Sequence, residues 1–321
     1  MATTYTHGDN TKKMYIQLVT NNICQLRCYP CLNRARLTEI MEPDEFKFVV
    51  DRLTSTVRLS NVDLTPIVGD FYLTPRHNVM VNILEDKKRV ENYDVVTNLL
   101  AMSNEDMDFF IRSKKTQIFI SIYGHDNQSY LVMTGTVKFP QFEERLATLY
   151  KKLVHNKYNG PTITFYMRYD KFENIPYTCR LFKIIRGLQA VYKGKIIIDD
   201  GNAKLNYDWA GQLPNVKYLA DKPEKKGICL HAIVQTAILP NFDVTMCGMV
   251  DINRKMLIGN ILDQSVEDIY GSKSDYRNTI EKQSMGVYSE MCNACREYEY
   301  YLDEPEMIKK HKLDNEVLNW I

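Results

Sequence analysis

Cys24, Cys28 and Cys31 fall within the eight-residue stretch CQLRCYPC, spaced CxxxCxxC. Three thiolates at this spacing can each bind one iron of a cubane 4Fe-4S cluster, which leaves the fourth iron without a protein ligand and open to a small molecule. A structural zinc ion wants four ligands, so on that reading the loop needs a further side chain from elsewhere. Cys292 and Cys295 form a second group with CxxC spacing, and Cys229 and Cys247 lie upstream of it. Those four thiols suffice for every iron of a second 4Fe-4S cluster or for one zinc ion. Cys179 stands apart from both groups.

The 321 residues carry 41 basic and 40 acidic side chains, a net charge of +1. No global field favours nucleic acid or an anionic membrane, so neither is an expected partner. The N-terminal MATTYTHGDNTKKMYIQ lacks a basic segment followed by an apolar run, and nowhere do eighteen apolar residues run together. These features describe a cytoplasmic chain, and in a reducing compartment tightly spaced cysteines more often bind metal than form disulfides.

Elements that position the cysteines are legible as alternating apolar runs and helical patterns between residue 14 and about 200. Strands are expected at 14–20, 62–68, 93–100, 117–123, 162–169 and 195–200. Helices are expected at 43–55, 77–90, after the N-cap candidate Ser103, at 142–154 and at 178–191. Right-handed crossovers roll six such units into an α/β fold, a partial (β/α)6 TIM-like barrel, with its site at the strands' C-terminal ends. Cys24 follows the first strand at that rim. The charged run DKPEKKG (221–227) suggests a boundary, giving an N-terminal extension (1–13), a barrel (14–215) and a small α+β domain with a tail (216–321). In the last part, one helix is expected across EDIYGSKSDYRNTIEKQ.

On these motifs the chain resembles the radical S-adenosylmethionine (radical SAM) superfamily, whose loop after the first strand carries the CxxxCxxC spacing. The resemblance implies that Cys24, Cys28 and Cys31 hold a 4Fe-4S cluster whose open iron is chelated by S-adenosylmethionine (SAM). The superfamily usually has an aromatic residue directly before the third cysteine. Here Pro30 stands there and Tyr29 one position earlier, which makes Tyr29 the candidate cofactor contact with the adenine packed differently. IVGDFYLTP (67–75) is similar to the element that holds the methionyl amine, and Gly69 and Asp70 are the matching positions. TN (97–98), SIYG (121–124) and MRY (167–169) fall where relatives contact ribose and carboxylate, with Ser121 and Arg168 as candidates.

The C-terminal part resembles the twitch domain, a shortened relative of the SPASM domain. This implies one auxiliary 4Fe-4S cluster on Cys229, Cys247, Cys292 and Cys295, with zinc on the same residues as the alternative. The resemblance further implies an oxidoreductase that cleaves SAM to a 5'-deoxyadenosyl radical, abstracts a substrate hydrogen atom and oxidises the resulting radical through the auxiliary cluster. A flavodoxin or ferredoxin is the implied electron donor. Cys179, opening the fifth helix, is the candidate hydrogen donor if the outcome is epimerisation instead; otherwise it is an inert core thiol. Asp199, Asp200, Asn202 and Trp209 are expected to face the substrate. Only thirteen residues precede the first strand, so capture of a peptide leader by a preceding domain is not expected. A small molecule such as a sugar or aminocyclitol is favoured, with maturation of a ribosomal peptide as the rival. A non-enzymatic zinc or electron-carrier protein is the remaining class.

Overall fold

The computed structural model describes residues 13–29, 31–32, 39–201, 208–213 and 223–301. The N-terminal extension up to residue 12, Pro30, Asn202, the expected boundary at 215/216 and the tail beyond 301 lie outside the described residues. Six parallel strands, β1 (Lys13–Leu18), β2 (Arg58–Asp63), β3 (Tyr93–Thr97), β4 (Thr116–Ile122), β5 (Ile163–Met167) and β6 (Ile196–Asp199), stand side by side in chain order. The crossovers carry helices α1 (Pro43–Thr56), α2 (His77–Asp86), α3 (Asn104–Arg112), α4 (Asn127–Thr134), α5 (Phe139–His155) and α6 (Arg180–Val191). This is the α/β arrangement that the alternating pattern predicts.

The two-residue period of the strands explains how a hydrophobic sheet comes to surround a polar hollow. Met14, Ile16 and Leu18 of β1, Ile118, Ile120 and Ile122 of β4, and Ile163, Phe165 and Met167 of β5 are buried in apolar clusters. The alternate residues, such as Gln17, Ser121 and Tyr166, line a single cavity instead. Helices cover the apolar face: α1 buries Phe46, Val49, Val50 and Leu53.

Several element ends differ from the sequence expectation, each for a local reason. β2 stops at Asp63, not residue 68, because the Asp63 carboxylate accepts from the Thr65 N–H at 2.8 Å and Pro66 has no N–H to continue a ladder. α2 ends at Asp86 because the Lys115 ammonium donates to the carbonyls of Leu84, Glu85 and Lys87, a cap supplied from distant sequence. Ser103 caps α3 as its sequence predicts, accepting from the Asp106 N–H. α5 starts earlier than expected, with Pro140 in its first turn where no N–H is needed.

The C-terminal part joins the sheet directly. After α7 (Leu230–Val234), strand β7 (Ala237–Ile238) pairs in parallel with β1, and β8 (Asp243–Thr245) and β9 (Leu257–Asn260) follow antiparallel. The single expected helix is two, α8 (Val266–Tyr270) and α9 (Asp275–Ser284), because the chain breaks after Gly271 and Ser274 caps a new start. A short α10 (Glu290–Ala294) carries Cys292.

Candidate active site

The cysteine loop after β1 is held from two sides. On one, the Asn21 amide donates to the Asp70 carbonyl at 3.0 Å and accepts from the Ile23 N–H at 2.6 Å, while the Asp70 N–H donates to the Ile23 carbonyl at 2.8 Å. Gly69 makes this contact possible: its φ is +139°, and a Cβ there would lie 2.9 Å from Asn21 Oδ1. On the other, the N–H groups of Arg27 and Tyr29 donate to the Thr134 and Met133 carbonyls at the end of α4. Helix α4 is not among the expected elements, although its Asp126 N-cap and its left-handed Gly135 C-cap are both readable signals.

Held in this way, Cys24, Cys28 and Cys31 open onto a cavity of about 440 Å3 at the C-terminal ends of the strands. Burial, first of all, pushes the Cys24 thiol up to about 12 and raises Cys28 as well. The Leu26 N–H and the Asn98 amide donate to the Cys24 sulfur at 3.4 and 3.6 Å, and the Tyr123 hydroxyl donates to Cys28. Three neighbouring thiols, two of them with donors aimed at their sulfurs, fit a positively charged iron core, which would offset the cost of three thiolates side by side.

Gly69, Asp70, Ser121 and Arg168 all line the same cavity, as do Thr97 and Asn98. Asp70, however, is already engaged. Its oxygens accept from the Tyr72 N–H, the Thr97 hydroxyl at 2.9 Å and the Asn98 N–H at 3.0 Å, and burial raises its pKa to about 6. The carboxylate therefore ties the turn after β2 to the end of β3. Arg168 sits over the Tyr166 ring at 4.8 Å with its fork in the cavity.

Tyr29 is placed elsewhere: it is 41% exposed and lies outside the cavity lining. Tyr123, two positions after Ser121, is the cavity-lining aromatic residue whose hydroxyl reaches the Cys28 sulfur. Cys179 caps α6, its sulfur accepting from the Phe182 N–H at 3.4 Å, and it lines neither this cavity nor the second one. Trp209 lines the cavity, whereas Asp199 and Asp200 accept from the N–H groups of Gly201 and Phe172 and fix their own loops.

Cys229, Cys247, Cys292 and Cys295 ring a second cavity of about 30 Å3. Burial is again the main cause of the raised pKa of all four, with Cys295 pushed up to about 12. Among the described residues, no three His, Cys, Asp or Glu side chains are gathered closely enough to hold a single metal ion. Four partly buried thiols around one hollow fit a multinuclear cluster. His231, Met249, Val250 and Glu297 line both cavities and form the wall between them.

Residues 229–296 match the SPASM family, described as an iron-sulfur cluster-binding domain. The whole chain is similar in structure to BtrN in complex with AdoMet and 2-DOIA, at TM-score 0.54 and 17% identity over 90% of this chain and 95% of that one. The chain shares the fold of that structure, and its residues 229–296 match the SPASM family. Streptococcus suis SuiB bound to precursor peptide SuiA is similar at TM-score 0.58 and 11% identity, covering 90% of this chain and 72% of that one. Native anSMEcpe with bound AdoMet and Kp18Cys peptide is similar at TM-score 0.52 and 13% identity, covering 96% of each. No curated protein matches the chain in sequence. The SPASM match contains all four cysteines of the second cavity. Among the described residues no helix is long and apolar enough to cross a membrane.

Proposed function

We propose that the protein is a radical SAM oxidoreductase whose substrate, a small polar molecule, is oxidised between two 4Fe-4S sites. The observation that carries this reading is the shared wall: the three-cysteine cavity and the four-cysteine cavity meet at His231, Met249, Val250 and Glu297. When bound, a reduced cluster with SAM supplies a 5'-deoxyadenosyl radical that abstracts hydrogen from a C–H bond, and a second cluster supplies a place for the electron left behind.

The chain's own residues do the rest. Cys24, Cys28 and Cys31 hold the first cluster and leave one position for SAM. Arg168 presents a planar fork suited to a carboxylate, and Ser121 adds a hydroxyl to the same cavity. Asn98 holds both the Cys24 sulfur and, through its N–H, Asp70, so it aligns the cluster loop with the turn at Gly69. Cys229, Cys247, Cys292 and Cys295 hold the auxiliary cluster. A cavity of about 440 Å3 is in the range that encloses single small ligands, which favours a small molecule over a folded peptide segment. The N-cap role of Cys179, away from both cavities, favours oxidation over epimerisation. A flavodoxin or ferredoxin is the proposed electron source.

The test is SAM cleavage. Anaerobically reconstituted protein reduced with dithionite is expected to form 5'-deoxyadenosine, and the Cys24→Ala, Cys28→Ala, Cys31→Ala triple variant is expected to form none. Equal amounts from both proteins would overturn the proposal.

A further inference from the structure

The three-cysteine loop is closed by a neck in which its two ends run side by side. The Met41 N–H donates to the Thr20 carbonyl at 2.9 Å, Asn21 and Ile40 form an antiparallel bridge, and the Glu39 N–H donates to Asn22 Oδ1 at 3.0 Å. Cys24, Cys28 and Cys31 all lie between these two ends in the chain, so the neck fixes where their loop enters and leaves the fold. Thr20 and Asn21 are fully buried. The Glu39 side chain, by contrast, reaches a partner from the other end of the sequence.

That partner is Arg254, in the hairpin between β8 and β9, within the segment that matches the SPASM family. Its Nη2 donates to both Glu39 oxygens, and its Nε lies 3.8 Å from Asp243 Oδ2. Arg254 holds a left-handed backbone, φ +57°, which a residue with a Cβ adopts only where its surroundings impose it. Asp251 supplies that constraint. It is fully buried, and its carboxylate accepts from the Thr245 hydroxyl at 2.6 Å and from the Lys255 and Met256 N–H groups at 2.8 Å each. The Asp251 N–H in turn donates to the Cys247 carbonyl at 3.2 Å. A hairpin anchored at one cysteine of the second cavity therefore reaches the neck of the loop that carries the other three. Exposed ion pairs contribute little to stability, but this one is only 28% exposed on either side, engages both carboxylate oxygens and is presented by a turn built around a buried carboxylate.

We propose that Glu39 and Arg254 are positioning residues, through which the C-terminal hairpin sets the neck of the three-cysteine loop and so governs how firmly the first cluster is held. The inference rests on the reading of Cys24, Cys28 and Cys31 as ligands of a SAM-binding cluster. It gives the C-terminal part a duty beyond holding its own cluster.

The experiment follows the first cluster in the full-length, anaerobically reconstituted protein during a challenge with the iron chelator bathophenanthroline disulfonate. A cluster with one open iron changes its electron paramagnetic resonance spectrum when SAM is added to dithionite-reduced protein, whereas a cluster with four protein ligands does not. The SAM-sensitive signal therefore reports the first site alone. Glu39→Gln and Arg254→Gln are each expected to lose that signal roughly fivefold faster than the wild type, and the double variant no faster than either, as two residues acting as one unit require. Arg254→Lys keeps the charge and should stay within about twofold of the wild type. The SAM-insensitive signal should decay at the wild-type rate in all of them. Arg52→Gln is the control: the Arg52 guanidinium donates to the Gln264 carbonyl at 3.1 and 2.8 Å, a contact between the same two parts of the chain that does not involve the neck. Its removal should leave the SAM-sensitive signal unchanged. If Glu39→Gln does not fold, judged by circular dichroism, Arg254→Gln, Arg254→Lys and Arg52→Gln decide. Wild-type persistence of the signal in the variants, additive losses in the double variant, equal loss of both signals, or the same loss in Arg52→Gln would each overturn the proposal, the last two because they mark a pair that only stabilises the fold. A wild type without a SAM-sensitive signal would overturn the enzyme reading and this role with it, whereas a wild type that has the signal, matched by its variants, removes the positioning role alone.

Discussion

Arg168 and Asp70 show how differently two cavity residues can spend their charge. Arg168 keeps its fork in the cavity above Tyr166, while Asp70 is bound on both oxygens by Tyr72, Thr97 and Asn98. Arg168→Lys keeps the cation and loses the fork, so SAM affinity should fall roughly tenfold, measured by equilibrium binding under anaerobic conditions. Unchanged affinity would remove Arg168 from the cofactor site. Asp63 carries a pH prediction. Burial first, then the facing Asp94, raises its pKa to about 7, and Tyr15 and Tyr166 are the other titratable groups near it. A carboxyl whose folded pKa lies above its unfolded value adds stability below the unfolded pKa and loses it as pH rises through the folded one. Ligand-free protein should therefore lose stability between about pH 4 and pH 7, by on the order of a few kcal/mol, and Asp63→Asn should flatten that slope in urea denaturation at pH 5 and pH 8. An identical slope in the variant would contradict the assignment. The cysteines, Gly69, Ser121 and Arg168 were legible as cavity residues because motif spacing places them after strands. Tyr123 and Gln17 were not, since a Tyr or Gln in a strand looks the same whether it lines a hollow or a surface.

At the scale of elements, helix α4 is the piece that sequence reading missed and that the cysteine loop depends on. DNQSYLVMTG has little amphipathic contrast, so its periodicity is faint, and its two caps are the only strong signals. Gly135 holds a φ of +66°, and a Cβ there would approach the Arg27 carbonyl at 3.3 Å. Gly135→Val should cost about 1–2 kcal/mol and should loosen the loop. Less iron retained at Cys24, Cys28 and Cys31, with the C-terminal cluster spectrum unchanged, is the expected result in anaerobic desalting experiments. The lengths of α2 and β2 were hidden for a related reason, because Lys115 and the Asp63–Thr65 contact act across loops that periodicity does not see. Helix α1, by contrast, was readable almost to the residue, and Phe46→Ala at its fully buried face should cost about 3–5 kcal/mol in denaturation midpoints.

Across the whole molecule, the SPASM part continues the sheet through β7 and brings its four cysteines against the wall of the central cavity. The six-strand alternation and the two cysteine groups were visible in the sequence. Their meeting at one wall was not, because it depends on a two-residue strand, Ala237–Ile238, that is too short to announce itself. The central claim is that this wall separates two iron-sulfur clusters with distinct duties. Iron and sulfide per chain, counted after anaerobic reconstitution, test it most directly. The account predicts about eight irons in the wild type and about four in each of two variants, one lacking Cys24, Cys28 and Cys31 and the other lacking Cys229, Cys247, Cys292 and Cys295. Four irons in the wild type, with zinc on the C-terminal cysteines, would contradict it.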